Sequence, residues 1–163
     1  MLNQIFSGII DSDLYIQVWE NHLKVICIKS TAEFNEPPYI AIERNGKAIV
    51  KAVGTEAKLL MNSSAYEVSN PFSHPRQLLA NFQKGQKIIQ HAVRQVLGKK
   101  LFSPSPRIVF QPMEKTEGGL TEVEVRAFKE LCLGAGAREV VVYLGAPLSR
   151  QTFNYTEAKA QGL

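Results

Sequence analysis

The sequence has little of what usually announces a chemical site. Among its 163 residues there are two cysteines, three histidines and one tryptophan. Cys27 and Cys132 sit in apolar runs, Val-Ile-Cys-Ile and Leu-Cys-Leu, with no histidine nearby and no Cys-x-x-Cys. Buried free thiols are the reading for both, and zinc or dithiol redox chemistry is unsupported. His22, His74 and His91 show no metal-ligand spacing. Gly-x-Ser-x-Gly, a Walker loop and His-Glu-x-x-His are all missing. No secretory signal is visible and no apolar run approaches the length of a membrane span, so a reduced, cytoplasmic protein is expected.

Acidic residues are also missing over a long stretch. None lies between Glu67 and Glu114, where Arg76, Lys84, Lys87, Arg94, Lys99, Lys100 and Arg107 fall. One-signed charge of this kind attracts phosphates or an anionic membrane face. Stacking aromatics such as Phe72, Phe82 and Phe102 are sparse there. A solvated helix face followed by a basic loop accounts for the block, and nucleic acid is not expected as a partner.

What is present is an ordinary globular composition: 45% hydrophobic, 21% charged and a net charge of +4. Residues 1–11 form a separate segment, in which Leu2, Ile5, Phe6, Ile9 and Ile10 follow helical spacing. This apolar stripe is a candidate contact for a membrane surface or a partner chain, although it lacks the basic polar face that membrane-surface helices usually carry.

The remainder, 12–163, reads as a mixed α/β domain. Leu14–Val18 and Leu23–Ile28 alternate as a strand hairpin. Pro38–Glu43 and Ala48–Val53 are further strands around an Asn45-Gly46 turn, and Glu56–Met61 is a short helix. Residues 62–76 read as loop. A helical stripe runs over Gln77–Leu97, interrupted by Gly85 and closed by Gly98. Arg107–Gln111 is a strand. Thr121 caps a helix with Glu124 at the capping-box position, and Glu139–Leu144 is a buried strand. Strand–helix–strand is the pattern of a right-handed parallel crossover. Residues 145–163 read as a polar tail without a core signal. Gly118-Gly119, beside Glu114, Glu117 and Glu122, reads as a loop and not as a phosphate cradle.

Several blocks carry a resemblance: Asn35-Glu36-Pro37, Ala41-Ile42, Asn45-Gly46-Lys47, Ala52-Val53-Gly54, Pro104-Ser105-Pro106-Arg107, Thr121–Ala127 and Gly134-Ala-Gly-Ala-Arg-Glu-Val140. In order and spacing the chain resembles the N-terminal half of the MreB family, the bacterial actin-like rod shape-determining proteins. The resemblance implies an actin/Hsp70-like (ribonuclease H-like) half. A small sub-lobe, about 36–76, is inserted into a core built from 12–35 and 77–144. It also implies ATP binding between two halves and membrane-associated filaments.

Residue by residue, the chemistry implied by the family is missing. Its first phosphate loop, Asp-Leu-Gly-Thr-Ala-Asn-Thr, corresponds here to Gln17-Val-Trp-Glu-Asn-His-Leu23. The metal-orienting Asp is Gln17, the Gly that lets backbone amides approach phosphate is Trp19, and the adjacent Thr is Glu20. A Trp fills the phosphate space and a Glu repels its charge. The family's Glu-Glu-Pro is Leu144-Gly145-Ala146-Pro147, and its Lys-Asp-Gly is Ser73-His74-Pro75. The length matches one jaw of a two-jawed clamp. The expectation is therefore a non-catalytic protein with no cofactor and no metal. It would act as a homodimer or in complex with another protein, full-length MreB among the candidates, because a lone half leaves its inner face uncovered. A weak ATP binder completed by a second chain, or a membrane-binding module using the N-terminal stripe, are the alternatives.

Overall fold

A computed structural model describes residues 12–98 and 105–163. The apolar stripe at Leu2, Ile5, Phe6, Ile9 and Ile10, with Lys99, Lys100 and Phe102 of the basic block, lies outside the described residues. Two sheets organise the chain. The larger contains β1 (Asp13–Val18), β2 (Leu23–Cys27), β3 (Glu33–Glu36), β7 (Arg107–Pro112) and β8 (Glu139–Val142), in the order β3-β2-β1-β7-β8. The first three pair antiparallel, whereas β1–β7 and β7–β8 are parallel. The smaller sheet, β5-β4-β6, comprises β4 (Ile40–Glu43), β5 (Val50–Val53) and β6 (Tyr66–Ser69). The helices are α1 (Thr55–Leu59), α2 (Phe82–Leu97), α3 (Glu122–Gly134) and α4 (Tyr155–Gln161).

The period-two alternation of β1 and β7 explains how the large sheet is buried on both faces. Leu14, Ile16, Val18, Ile108 and Phe110 point to one face, where Ile88, Ile89, Ala92 and Val93 of α2 and Phe128 and Leu131 of α3 cover them. Phe110 and Phe128 stack with ring centroids 4.8 Å apart. Tyr15, Ile26, Val109 and Val141 point the other way and meet Phe153, Tyr155 and Ala158.

That second face corrects the reading of 145–163 as a tail outside the core. Asn154 caps α4 by accepting from the Glu157 amide, and Tyr155 and Ala158 are buried. Arg107 lies 4.4 Å over the Tyr155 ring. The segment thus covers the second face of the sheet, with few apolar residues and several polar ties. Arg150 donates to the carbonyls of Cys27 and Ala32 at 3.2 and 3.3 Å. Lys159 pairs with Glu139, and the Leu163 amide donates to the Val142 carbonyl at 2.8 Å.

One strand is added and two further expectations are corrected. Glu33–Glu36 is a strand, paired to β2, and Tyr66–Ser69 within the presumed 62–76 loop is β6, paired to β4. The long helix begins at Phe82 and not at Gln77, because Asn81 caps it by accepting from the Lys84 amide. The amides of Ala80 and Asn81 are held by the Pro71 carbonyl at 2.7 and 3.2 Å. Leu78 is still buried, but from an irregular segment. Gly85 has a packing reason: a Cβ there would lie 2.9 Å from Leu79 Cδ1 and 3.6 Å from Leu131 and Phe72. Thr121 and Glu124 form the full capping box of α3.

Phe128 is 2% exposed and stacks on Phe110 between α3 and the sheet. Phe128→Ala should therefore cost about 3–5 kcal/mol of unfolding free energy, measurable by urea denaturation.

Candidate functional site

Parallel pairing of β1 with β7 brings their C-terminal ends side by side, the end of an α/β sheet where ligands bind. Three segments meet there: the β1–β2 turn, residues 70–75, and the loop after β7. Gln17, Trp19 and Glu20 all lie in or beside the turn. Gln17 Nε2 is 3.5 Å from Met113 Sδ. Trp19 packs against His22 with ring centroids 5.2 Å apart, and its amide closes the turn on the His22 carbonyl at 2.8 Å.

Glu20 is engaged at every polar atom. Its backbone N–H donates to Glu114 Oε2 at 2.6 Å. Its carbonyl accepts from Asn70 Nδ2 at 2.6 Å. Its carboxylate accepts from Ser73 Oγ at 2.8 Å on one oxygen and from Lys115 Nζ at 2.8 Å on the other. Lys115 also donates to the His74 carbonyl. Its backbone is left-handed, with φ at 58°, a conformation that a non-glycine residue holds only when its surroundings over-determine it. Here those surroundings are the ion pair and the carbonyl contact at the far end of its side chain. The Lys115 hydrogen bond, then that from Ser73, hold the Glu20 carboxyl below the usual carboxylate range.

Two features matter chemically. A backbone amide of the kind that receives phosphate in a phosphate loop already holds a carboxylate, that of Glu114. The ammonium most able to attract an external anion is paired internally. The sequence reading placed the substitutions at Gln17, Trp19 and Glu20 but missed Asn70, Lys115 and the use of Glu114 as a ligand. Ser73 and His74, read as a replaced loop, supply a hydroxyl and a carbonyl to the same cluster.

The second degenerate segment, Leu144–Pro147, is held by a neutral network. Gln111, 4% exposed, donates to the Gly145 carbonyl at 2.6 Å and accepts from the Tyr15 hydroxyl. The Tyr15 hydroxyl in turn accepts from the Leu148 amide at 3.1 Å. Burial pushes the Tyr15 phenol up, so the network stays uncharged at neutral pH and holds no general base.

The basic block is divided. Lys84 pairs with Glu67, and Arg107 clamps Asp13 with two bonds of 2.7 and 2.8 Å, whereas Lys87 and Arg94 line a groove beside α2. Gly118 and Gly119 stand in open space with φ of 81° and 87°, in a turn bonded from Gly119 to Thr116. Cys27 and Cys132 are buried free thiols, and burial pushes the Cys132 thiol up. Among the described residues no group of three or more His, Cys, Asp or Glu is placed to hold a metal ion, and no helix is long and apolar enough to cross a membrane.

A mixed five-stranded sheet with flanking helices, carrying a second small sheet between its early strands and its long helix, is an actin-like half-domain. Solved structures bear the fold out. MreB5 of Spiroplasma citri bound to ADP superposes with a TM-score of 0.64 at 17% identity, over 82% of this chain and 38% of that one. A non-polymerising mutant of MamK bound to AMPPNP gives 0.59 at 11% identity, over 82% and 40%. The chain belongs to the MreB/Mbl protein family, whose model matches residues 22–146. The cell shape-determining protein MreB of Haemophilus influenzae is 30% identical over 143 residues, and that of Escherichia coli K12 is 31% identical over 139. The chain spans about 40% of the length of these curated relatives. It is also 34% identical over 102 residues to the uncharacterized protein YjaA of Escherichia coli K12, covering 74% of that protein.

The Lys115–Glu20 pair has a pH signature. A carboxyl whose folded pKa is depressed stabilises the fold above its ordinary pKa, and that contribution is lost as pH falls through the folded pKa. In the Lys115→Met variant the Glu20 side chain should titrate higher by NMR. The stability deficit of the variant should be present at about pH 7 and shrink as pH falls through the depressed folded pKa of Glu20.

Proposed function

We propose that this chain is an MreB-like protein that binds and hydrolyses no nucleotide, and that it acts through protein contacts in cell-shape or cytoskeletal organisation. The observation that carries this reading is the closure of the phosphate-loop position by the chain's own groups, Glu114 on the Glu20 amide and Lys115 on the Glu20 carboxylate. Trp19 stands where the family has the glycine that admits phosphate. An incoming triphosphate would have to displace a carboxylate, break an ion pair and move an indole, while meeting two like-charged carboxylates. The cell-shape assignment rests on relatives named for cell-shape determination.

The partner this reading favours is a second copy. Val123, Arg126, Glu130 and Leu133 are exposed along one line of α3 at three-four-three spacing, with Val123 78% and Leu133 44% exposed. This is the spacing of a helix-pairing seam. The line is symmetric about Phe128. An antiparallel, two-fold pairing would set Val123 against Leu133 and Arg126 against Glu130 of the second copy, at both ends alike. A groove of about 510 Å³, lined in part by Leu120, Val125, Leu133 and Leu163, runs beside the seam.

Calorimetric titration with magnesium-ATP should give no saturable heat up to about 1 mM; micromolar binding would overturn the nucleotide reading. Light scattering at micromolar concentration should give a dimer. The double variant Val123→Lys with Leu133→Lys should be monomeric with unchanged circular dichroism. A monomeric parent protein would refute the pairing.

A further inference from the structure

Away from the closed site, one region combines an open sheet edge with basic charge. Among the described residues β5 is an outer strand of the small sheet and pairs with β4 alone. Gly54 donates to the Tyr39 carbonyl at 2.8 Å and Glu43 to the Ile49 carbonyl at 3.0 Å. Bonded and non-bonded pairs alternate along an antiparallel ladder. Val53 opposite Ile40, and Val50 opposite Ile42 across the bulge, are therefore non-bonded positions. Their N–H and C=O groups turn away from β4, to the outer edge.

That edge borders a groove between β5 and α2. One part, about 330 Å³, is lined by Phe34, Val53 and Thr55 among others; the next, about 670 Å³, by Val50, Lys87, Arg94 and Gly98. The two parts share His91 and Gln95. No residue of α2 is acidic. Its Lys84 is neutralised by Glu67, but Lys87 donates only to the Ala48 carbonyl, at 3.3 Å, and neither Lys87 nor Arg94 is ion-paired among the described residues. Lys51, exposed on β5 itself, adds a third cation. At the far end Glu36 is committed to the Thr55 amide and hydroxyl, and Glu56 also lines that part, so the positive charge is concentrated at the Lys87–Arg94 part.

We propose that this groove takes an extended acidic segment of a partner protein as an added strand on β5, its carboxylates lying against Lys87 and Arg94. Strand addition matches what the site offers: the outward main-chain groups of Val50 and Val53, set three residues apart by the bulge, beside side chains that read charge. A phosphate chain would use the cations but not the edge, and among the described residues the groove lacks the exposed stacking aromatics that hold single-stranded nucleic acid. The inference is independent of the closed nucleotide site and of the α3 seam, which lie elsewhere on the chain.

The test uses a fluorescein-labelled nonapeptide of alternating Glu and Val, followed by anisotropy against the full chain. Saturable micromolar binding is expected, weakened about tenfold or more by Lys87→Ala with Arg94→Ala. The same peptide N-methylated at alternate residues keeps its charge and loses strand donors; it should also bind about tenfold more weakly. Amide exchange at Val50 and Val53 should slow when the unmodified peptide is bound. Equal binding of the N-methylated peptide, no saturation up to about 1 mM, or tighter binding of a single-stranded DNA oligonucleotide would each overturn the proposal.

Discussion

The parallel pairing of β1 with β7 is the constraint on which everything else depends. It joins residues more than ninety positions apart in six consecutive pairs, from Asp13 with Arg107 to Val18 with Pro112. The decisive side-chain contacts are decorations of that ladder. Asp13–Arg107 locks its lower end, Tyr15–Gln111 crosses its middle, and Gln17–Met113 and Glu20–Lys115 close the top. Parallel pairing cannot be made by a tight turn, and here the crossover includes the small sheet and the whole of α2. The ladder is therefore a non-local commitment of the chain, and the top-end cluster exists only once it has formed.

Much of the fold was legible because its signals are local. The β1–β2 hairpin follows from alternation over Leu14–Ile28, and α3 from the Thr121–Glu124 box. The β7–α3–β8 crossover follows from the order of its elements. What was not legible is held by context. β3 is four residues ending before Pro37-Pro38 and takes its strand geometry from β2. β6 is mostly half-exposed and takes its geometry from β4. The α2 stripe continues backwards through Leu78 and Leu79, but Asn81 and the Pro71 carbonyl stop the helix. α4 buries only Tyr155 and Ala158, too few to show against a polar background.

The site divides the same way. Gln17, Trp19 and Glu20 were readable as substitutions because they lie in one turn. Asn70, Ser73, Glu114 and Lys115 come from two other segments, and no sequence period links them to that turn. The contrast also bears on the covered face of the sheet. A lone half was expected to leave apolar surface open, yet Tyr15, Ile26, Val109 and Val141 are roofed by Phe153, Tyr155 and Ala158 of the same chain. The large apolar residues that stay exposed are scattered over the described residues, and Val123 and Leu133 put two of them on the outside of α3.

The saturation of Glu20 bears on how the turn could be opened. Its amide, its carbonyl and both carboxylate oxygens each have a different owner. A glycine at Trp19 would leave all four bonds in place, and removing Lys115 or Glu114 alone would leave the other three. Opening the turn therefore takes several changes made together. The cluster behaves as a latch with several catches: releasing one leaves the turn held by the rest.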